Sequence, residues 1–341
     1  MKIYGDLCHE KLLKKARQRL AFDESKAYGE WKEQIREKFL QLFGMDKFSE
    51  NTCPLNVQIE KEEQKTGYRQ IRFVFESEQG AFVPCYLLIP DLGKEKYPVA
   101  ITLQGHTTGF HNSIGEMKFE RDAKQYPNNA FAVQAAKNGY AALAIEQRAM
   151  GERGTDRNSW DYAMCGFTAL TALQIGRTVL GERIWDVSKA IDALAFFPQC
   201  DREKVLITGN SGGGTAAYYA ACYDSRIQLS APSCSFCSYE KSIMDVYHCV
   251  CNYVPHAYEW FEMQDLSCLI APRKLVIIAG KEDEIFPIQG VRDGFERVQK
   301  IYEKEAAAEN CRLVETPEGH YWCEELVWNA INRETEKLKW R

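Results

Sequence analysis

From Val99 onward the chain alternates short, continuously apolar runs with amphipathic stretches, and no other feature of the sequence restricts the fold so severely. The apolar runs are Val99–Leu103, Tyr140–Ile145, Val205–Thr208, Ile227–Ala231, Leu275–Ala279 and the shorter Arg312–Val314. Between them lie Ala130–Lys137, a stretch with Leu180, Ile184, Val187, Ile191 and Leu194 at helical spacing, Thr215–Cys222 and Val291–Tyr302. Strands apolar on both faces, separated by helices with one apolar stripe, predict an α/β chain with a mainly parallel sheet covered on both sides. In such sheets ligands bind beyond the carboxyl ends of the strands, so chemistry should lie in the loops that follow each run. Upstream, Tyr68–Phe75 alternates and Ala81–Ile89 follows, ending at Pro90, which reads as an antiparallel edge. Earlier still, Trp31, Ile35, Phe39 and Phe43 recur every four residues before Gly44, predicting a helix and its stop. The chain thus divides into an N-terminal helical extension, 1–50, and an α/β body, 51–341.

The 43 basic and 48 acidic residues nearly balance, and no stretch concentrates Lys and Arg among aromatics, which argues against nucleic acid as a partner. No apolar run approaches the roughly 18 residues of a membrane helix. The opening residues lead into basic Lys11–Arg19 without the apolar core of a signal peptide. Thirteen cysteines, an odd number dispersed through apolar segments, suit reduced thiols better than a disulfide framework. A cytoplasmic globular protein with no membrane partner is the expectation.

Directly after Val205–Thr208 comes Gly209-Asn210-Ser211-Gly212-Gly213-Gly214, followed by an Ala- and Tyr-rich helical stretch. A G-x-S-x-G sequence between a strand and a helix holds its serine in a strained turn, exposed above the sheet, and the glycines let the chain pass closely. Ser211 is therefore the candidate nucleophile. A serine hydroxyl needs a base, and the base an anionic partner. In this arrangement the chain order is serine, acid, histidine. Of the three histidines after Ser211, His320 lies on a turn between the last strand and the last helix, where a base can reach over the sheet. The acid belongs to the loop after Leu275–Ala279, where Asp283 is favoured over Glu282. The oxyanion hole needs preorganised N–H donors. Gly212, beside the nucleophile, supplies one, and His106, in Gln104-Gly105-His106 after the strand Val99–Leu103, supplies the other.

These residues carry a resemblance. Gln104–His106, Arg148–Arg153, Gly176–Gly181, Gly209–Gly213, the Asp283 loop, His320 and Cys249–Pro255 resemble the α/β-hydrolase superfamily, and within it the acetyl xylan esterase and dienelactone-hydrolase-like group. The likeness runs from about Val99 to the C-terminus. It implies an eight-stranded, mostly parallel sheet with an antiparallel first hairpin, and hydrolysis of short-chain, often acetyl, esters on carbohydrates. Two departures stand out: many relatives have His-Gly where this chain has Gln104-Gly105, and dienelactone hydrolases use a cysteine where this chain has Ser211. The expected activity is that of a serine carboxylesterase acting on a small ester, such as an acetylated xylo-oligosaccharide, without a cofactor. Two alternatives are a peptidase of the prolyl-oligopeptidase type, which about fifty helical residues cannot furnish with a β-propeller, and a catalytically silent scaffold.

Other constellations are weaker. Arg148 and Glu152, in a loop after a strand, could bind substrate or form a structural ion pair, and Gln104 and Trp322 are further candidates for substrate contact. Trp160, Tyr162 and Trp260 could add to a sugar-stacking surface. Cys234-x-x-Cys237 with His248, Cys249, Cys251 and His256 is dense enough to suggest zinc, but Cys249-x-Cys251 lacks the usual gap. Packing is the preferred reading of these thiols, and no metal is expected. The N-terminal helices either cap the site or form the surface of a homo-oligomer.

Overall fold

A computed structural model describes residues 6–124, 128–154 and 163–340. Among these residues nine strands form one sheet: β1 (Gln58–Lys65), β2 (Tyr68–Glu78), β3 (Ala81–Pro90), β4 (Tyr97–Leu103), β5 (Ala141–Ile145), β6 (Cys200–Asn210), β7 (Ile227–Ser233), β8 (Lys274–Gly280) and β9 (Cys311–Thr316). Their order is β1-β2-β3-β5-β4-β6-β7-β8-β9. The pairs β1/β2, β2/β3 and β3/β5 are antiparallel, and every pair from β5/β4 to β8/β9 is parallel.

The expected eight strands are all present, and β1 is added at the edge. Its sequence, Gln-Ile-Glu-Lys-Glu-Glu-Gln-Lys, is nearly all charged or amide and is mostly exposed, so it shows no apolar alternation. Such a composition protects an edge strand from pairing with other chains. Ion pairs to β2, Glu60 with Arg72 at 2.7 Å and Glu62 with Arg69 at 3.3 Å, lie across the ladder. The central strands behave as their composition demands, with all seven residues of β4 and of β8 buried.

The helices are α1 (Leu7–Leu13), α2 (Tyr28–Phe43), α3 (Phe131–Lys137), α4 (Ala163–Gln174), α5 (Val179–Ala193), α6 (Gly212–Tyr223), α7 (Ala257–Trp260), α8 (Ile288–Lys304) and α9 (Glu324–Lys337). One apolar core joins α2, α5, α6 and α8 to the sheet, and a second joins α3 and α9 to its other face. The predicted stripe Trp31, Ile35, Phe39 and Phe43 is the buried face of α2, and Gly44 ends the helix at φ +72°. Residues of α2 are continuous with the main core: Phe43 packs 4.9 Å from Tyr219 of α6, and its carbonyl accepts from Thr178 Oγ1 at 3.1 Å.

Strand order reverses where β4 lies between β5 and β6, one connection leaving to each side. The carboxyl ends of β4 and β6 therefore diverge into a crevice, the place where sheets of this kind bind ligands. Among the described residues no helix is long and apolar enough to cross a membrane.

Candidate active site

Ser211 stands between the end of β6 and the first turn of α6 with φ +56° and ψ −127°. For a residue with a side chain this conformation is costly, and it persists only because the surroundings enforce it. Its N–H donates to Ser233 O at 2.9 Å, and its carbonyl accepts from Thr215 N at 2.9 Å. The glycines are needed for clearance. A Cβ on Gly209 would lie 2.5 Å from Leu103 O, and one on Gly105 would lie 2.9 Å from Asn210 O. A Cβ on Gly212 would lie 2.9 Å from the His106 ring.

The other two predicted members of the triad meet across two loops. His320 Nδ1 lies 2.9 Å from Asp283 Oδ2. Asp283 Oδ1 accepts from the N–H groups of Ile285 and Phe286 at 2.8 and 3.0 Å. With both oxygens engaged and its side chain buried, the carboxylate has one orientation. Phe286 stacks on the His320 ring, with centroids 5.9 Å apart and planes at 15°. Glu282, the second choice for the acid, donates its N–H to Glu318 O at 3.1 Å, clasping the two loops together.

Ser211 and His320 open on one cleft of about 510 Å³, whose wall also includes His106, Gly212, Phe131, Phe286 and Trp322. Gly212 is the first residue of α6, where a helix has N–H groups without intrahelical acceptors. Trp322 is buried as a wall of the cleft, with its Nε1 donating to Gln134 Oε1 at 2.9 Å.

Three of the predicted substrate contacts are placed elsewhere. Arg148 is held in a buried ion-pair network, 2.7 Å from Asp186 Oδ1 and 2.7 Å from Glu78 Oε1, and does not line the cleft. Glu152 pairs with Arg72 at 2.6 Å on a partly exposed surface. Gln104 is fully buried, with Nε2 2.5 Å from Glu146 Oε1. All three follow strand ends, as predicted, but position in a strand-end loop does not fix the direction of a side chain. Burial outweighs the hydrogen bonds from Glu152 and Phe110 and pushes the Glu146 carboxyl up to about 8. Its Oε2 accepts from Phe110 N and Glu152 N, joining the loops after β4 and β5.

Trp260 lies outside the cleft, beneath Lys38 Nζ at 3.8 Å and Arg19 at 4.7 Å. Trp160 and Tyr162 fall outside the described residues. No residue of 6–50 lines the cleft, so the N-terminal helices do not cap it. Sequence reasoning missed Asn128, Asn129, Asn252 and His248, which complete the wall. His248 donates to or accepts from Ser242 Oγ at 3.1 Å, and burial, with His320 and His106 nearby, lowers its pKa to about 4. These residues lie in irregular loops, where no periodicity marks them; the cluster His248-Cys249-Val250-Cys251-Asn252 was the one available signal.

The sheet order, the strained serine between β6 and α6, and the His320–Asp283 pair define an α/β-hydrolase. The chain belongs to the Abhydrolase family, whose model matches residues 4–229. It is 25% identical to the candidate hydrolase YtaP of Bacillus subtilis (strain 168) over 241 residues, 70% of this chain and 78% of that one. Its fold is similar to that of a candidate acetyl xylan esterase from Bacteroides fragilis, with a TM-score of 0.80, 16% identity, and coverage of 98% and 96% of the two chains. A glucuronoyl esterase from Solibacter usitatus is similar with a TM-score of 0.67 and 14% identity, over 93% of this chain and 96% of that one.

Proposed function

We propose that the protein is a serine carboxylesterase that removes short acyl groups, acetyl above all, from hydroxyls of a carbohydrate. One observation carries the reading: a strained, half-buried serine opens on the same cleft as a histidine held by a buried carboxylate at 2.9 Å. Ser211 Oγ attacks the ester carbonyl while His320 takes its proton on the ring nitrogen that Asp283 leaves available. The N–H groups of Gly212 and His106 receive the oxyanion. His320 then protonates the leaving alcohol, and water releases the acyl group by the same steps in reverse. A carboxylate fixing the tautomer has no need of a metal or cofactor in this scheme.

The cleft supports a polar alcohol and a small acyl group. Phe131, Phe286 and Trp322 give apolar surface near the reacting serine, while Lys124, Asn128, Asn129 and Asn252 offer polar contacts for hydroxyls. The fold neighbours are named for carbohydrate esters, which favours the same substrate class. None of the thirteen cysteines is joined in a disulfide, which favours a reducing compartment and hence acetylated xylo-oligosaccharides over polymeric xylan as substrate.

The test is acetate release from acetylated xylo-oligosaccharides, set beside methanol release from a methyl glucuronate ester and cleavage of a prolyl peptide anilide. Acetate release alone is the expected result. Methanol release alone would replace the acetyl reading by a glucuronoyl one, and peptide cleavage alone would make the protein a peptidase.

A further inference from the structure

A second group of reactive side chains lies beside the cleft and has no part in the triad. The imidazole of His106 and the sulfurs of Cys165, Cys249 and Cys251 converge, one donor atom from each lying within 4.8 Å of the others. His106 Nε2 stands 3.2 Å from Cys251 Sγ. All three cysteines are buried. The four residues come from three distant parts of the chain: the loop after β4, helix α4, and the turn around Val250–Asn252. The fold separates the set that the sequence suggested. Cys234 Sγ points at Tyr321 O at 3.4 Å, Cys237 Sγ at Pro287 O at 3.9 Å, and exposed His256 pairs with Glu259.

Arg183 is an independent observation at the same place. It is 1% exposed, with Nη1 3.5 Å from Cys251 Sγ and Nη2 3.4 Å from Cys165 Sγ. Its other bonds go to Arg148 O, and among the described residues no carboxylate pairs with it. A guanidinium keeps its proton, so a buried one calls for anionic groups where its N–H groups point. What stands there is sulfur.

We infer that His106, Cys165, Cys249 and Cys251 form a closed tetrahedral site for a zinc-like divalent cation. Three cysteines and one histidine are a donor set of structural zinc sites. With Zn–S about 2.3 Å and Zn–N about 2.0–2.1 Å, the donors of a tetrahedron stand roughly 3.5–3.8 Å apart. From separations of at most 4.8 Å the widest pair needs to contract by no more than about 1.3 Å to reach that spacing, and the His106–Cys251 pair, at 3.2 Å, to open slightly. Three thiolates and a neutral imidazole around a divalent cation leave one negative charge, and Arg183 neutralises it through two of the sulfurs. Outer groups of this kind orient metal ligands. Four protein donors leave no open position, so the ion is structural. Bound there, it fixes the loop carrying His106 against the turn carrying Cys249 and Asn252, two walls of the cleft.

The test uses the full chain, purified reduced, loaded with zinc chloride and passed through gel filtration before its metal is counted. The inference predicts about one zinc per chain, reduced at least about tenfold in Cys165→Ser, a residue outside the proposed catalytic machinery. Because that variant could misfold, the wild type is also titrated with cobalt chloride. The d–d bands of tetrahedral cobalt with a thiolate charge-transfer band are expected. Wild-type protein that retains no zinc, an octahedral cobalt spectrum, undiminished zinc in a folded Cys165→Ser variant, or a disulfide among the three cysteines of the zinc-loaded protein would each overturn it.

Discussion

Asp283 commits one carboxylate oxygen to two N–H groups of its own loop and the other to the His320 imidazole. That division makes the residue an orienter as well as a charge. Asp283→Asn keeps its shape but offers the ring an amide, which favours the wrong tautomer. A fall in kcat of about 10³–10⁴-fold with little change in KM is expected from steady-state kinetics on p-nitrophenyl acetate. Gly212 makes a different prediction. A Cβ there would press on the His106 ring, so Gly212→Ala should move the proposed oxyanion donors and lower kcat by about 10²-fold, again read from steady-state kinetics. Unchanged kcat in either variant would contradict the geometry assigned to it. That His320 would meet Asp283 and share a cleft with Ser211 was legible, because each follows a strand in the chain order that this type of sheet allows. Arg148, Glu152 and Gln104 follow strands too, but ion pairing and burial turn them away, and no local pattern reports that.

At the scale of elements, Glu146 directly follows β5 in a position that couples the loops around it. It is fully buried, and its pKa of about 8 lies above the ordinary carboxylate value of 4.5 because burial disfavours its charge. A folded value above the unfolded one means that the neutral carboxyl stabilises the fold fully below about pH 4.5, and that this contribution is lost as the pH rises through about 8. The loss amounts to something on the order of 3–5 kcal/mol by pH 9. Glu146→Gln stays neutral, so its urea midpoint should vary less between pH 5 and pH 9 than the wild type's. Equal slopes would remove Glu146 as the cause. The element pattern itself was largely readable, because buried parallel strands are apolar on both faces and the helices carry one apolar stripe. Strand β1 was not, since an edge strand of Glu, Lys and Gln is built for water and lacks the alternation that marks a half-buried strand.

Across the whole molecule, α2 and α6, the helix after Ser211, share one core. Phe43 is fully buried, 4.4 Å from Phe39 and 4.9 Å from Tyr219, and Tyr219 belongs to the helix that directly follows Ser211. Phe43→Ala should cost about 3–5 kcal/mol in urea unfolding while leaving KM unchanged in the folded protein. A cost below about 1 kcal/mol would instead make residues 1–50 a loosely attached extension. The sequence marked the apolar face of this helix but not its partner, because contact between residues about 180 positions apart leaves no trace in local spacing. The same holds for His106, Cys165, Cys249 and Cys251, which only the assembled sheet and its loops bring within reach of one another.

Whether Ser211 is the nucleophile is decided by intact-protein mass spectrometry after a brief acid-quenched reaction with p-nitrophenyl acetate. A single added acetyl group is expected, mapped by peptide digestion to Ser211 and absent from Ser211→Ala, which also loses hydrolysis. Acetyl transfer to another residue, or undiminished turnover by Ser211→Ala, would contradict it.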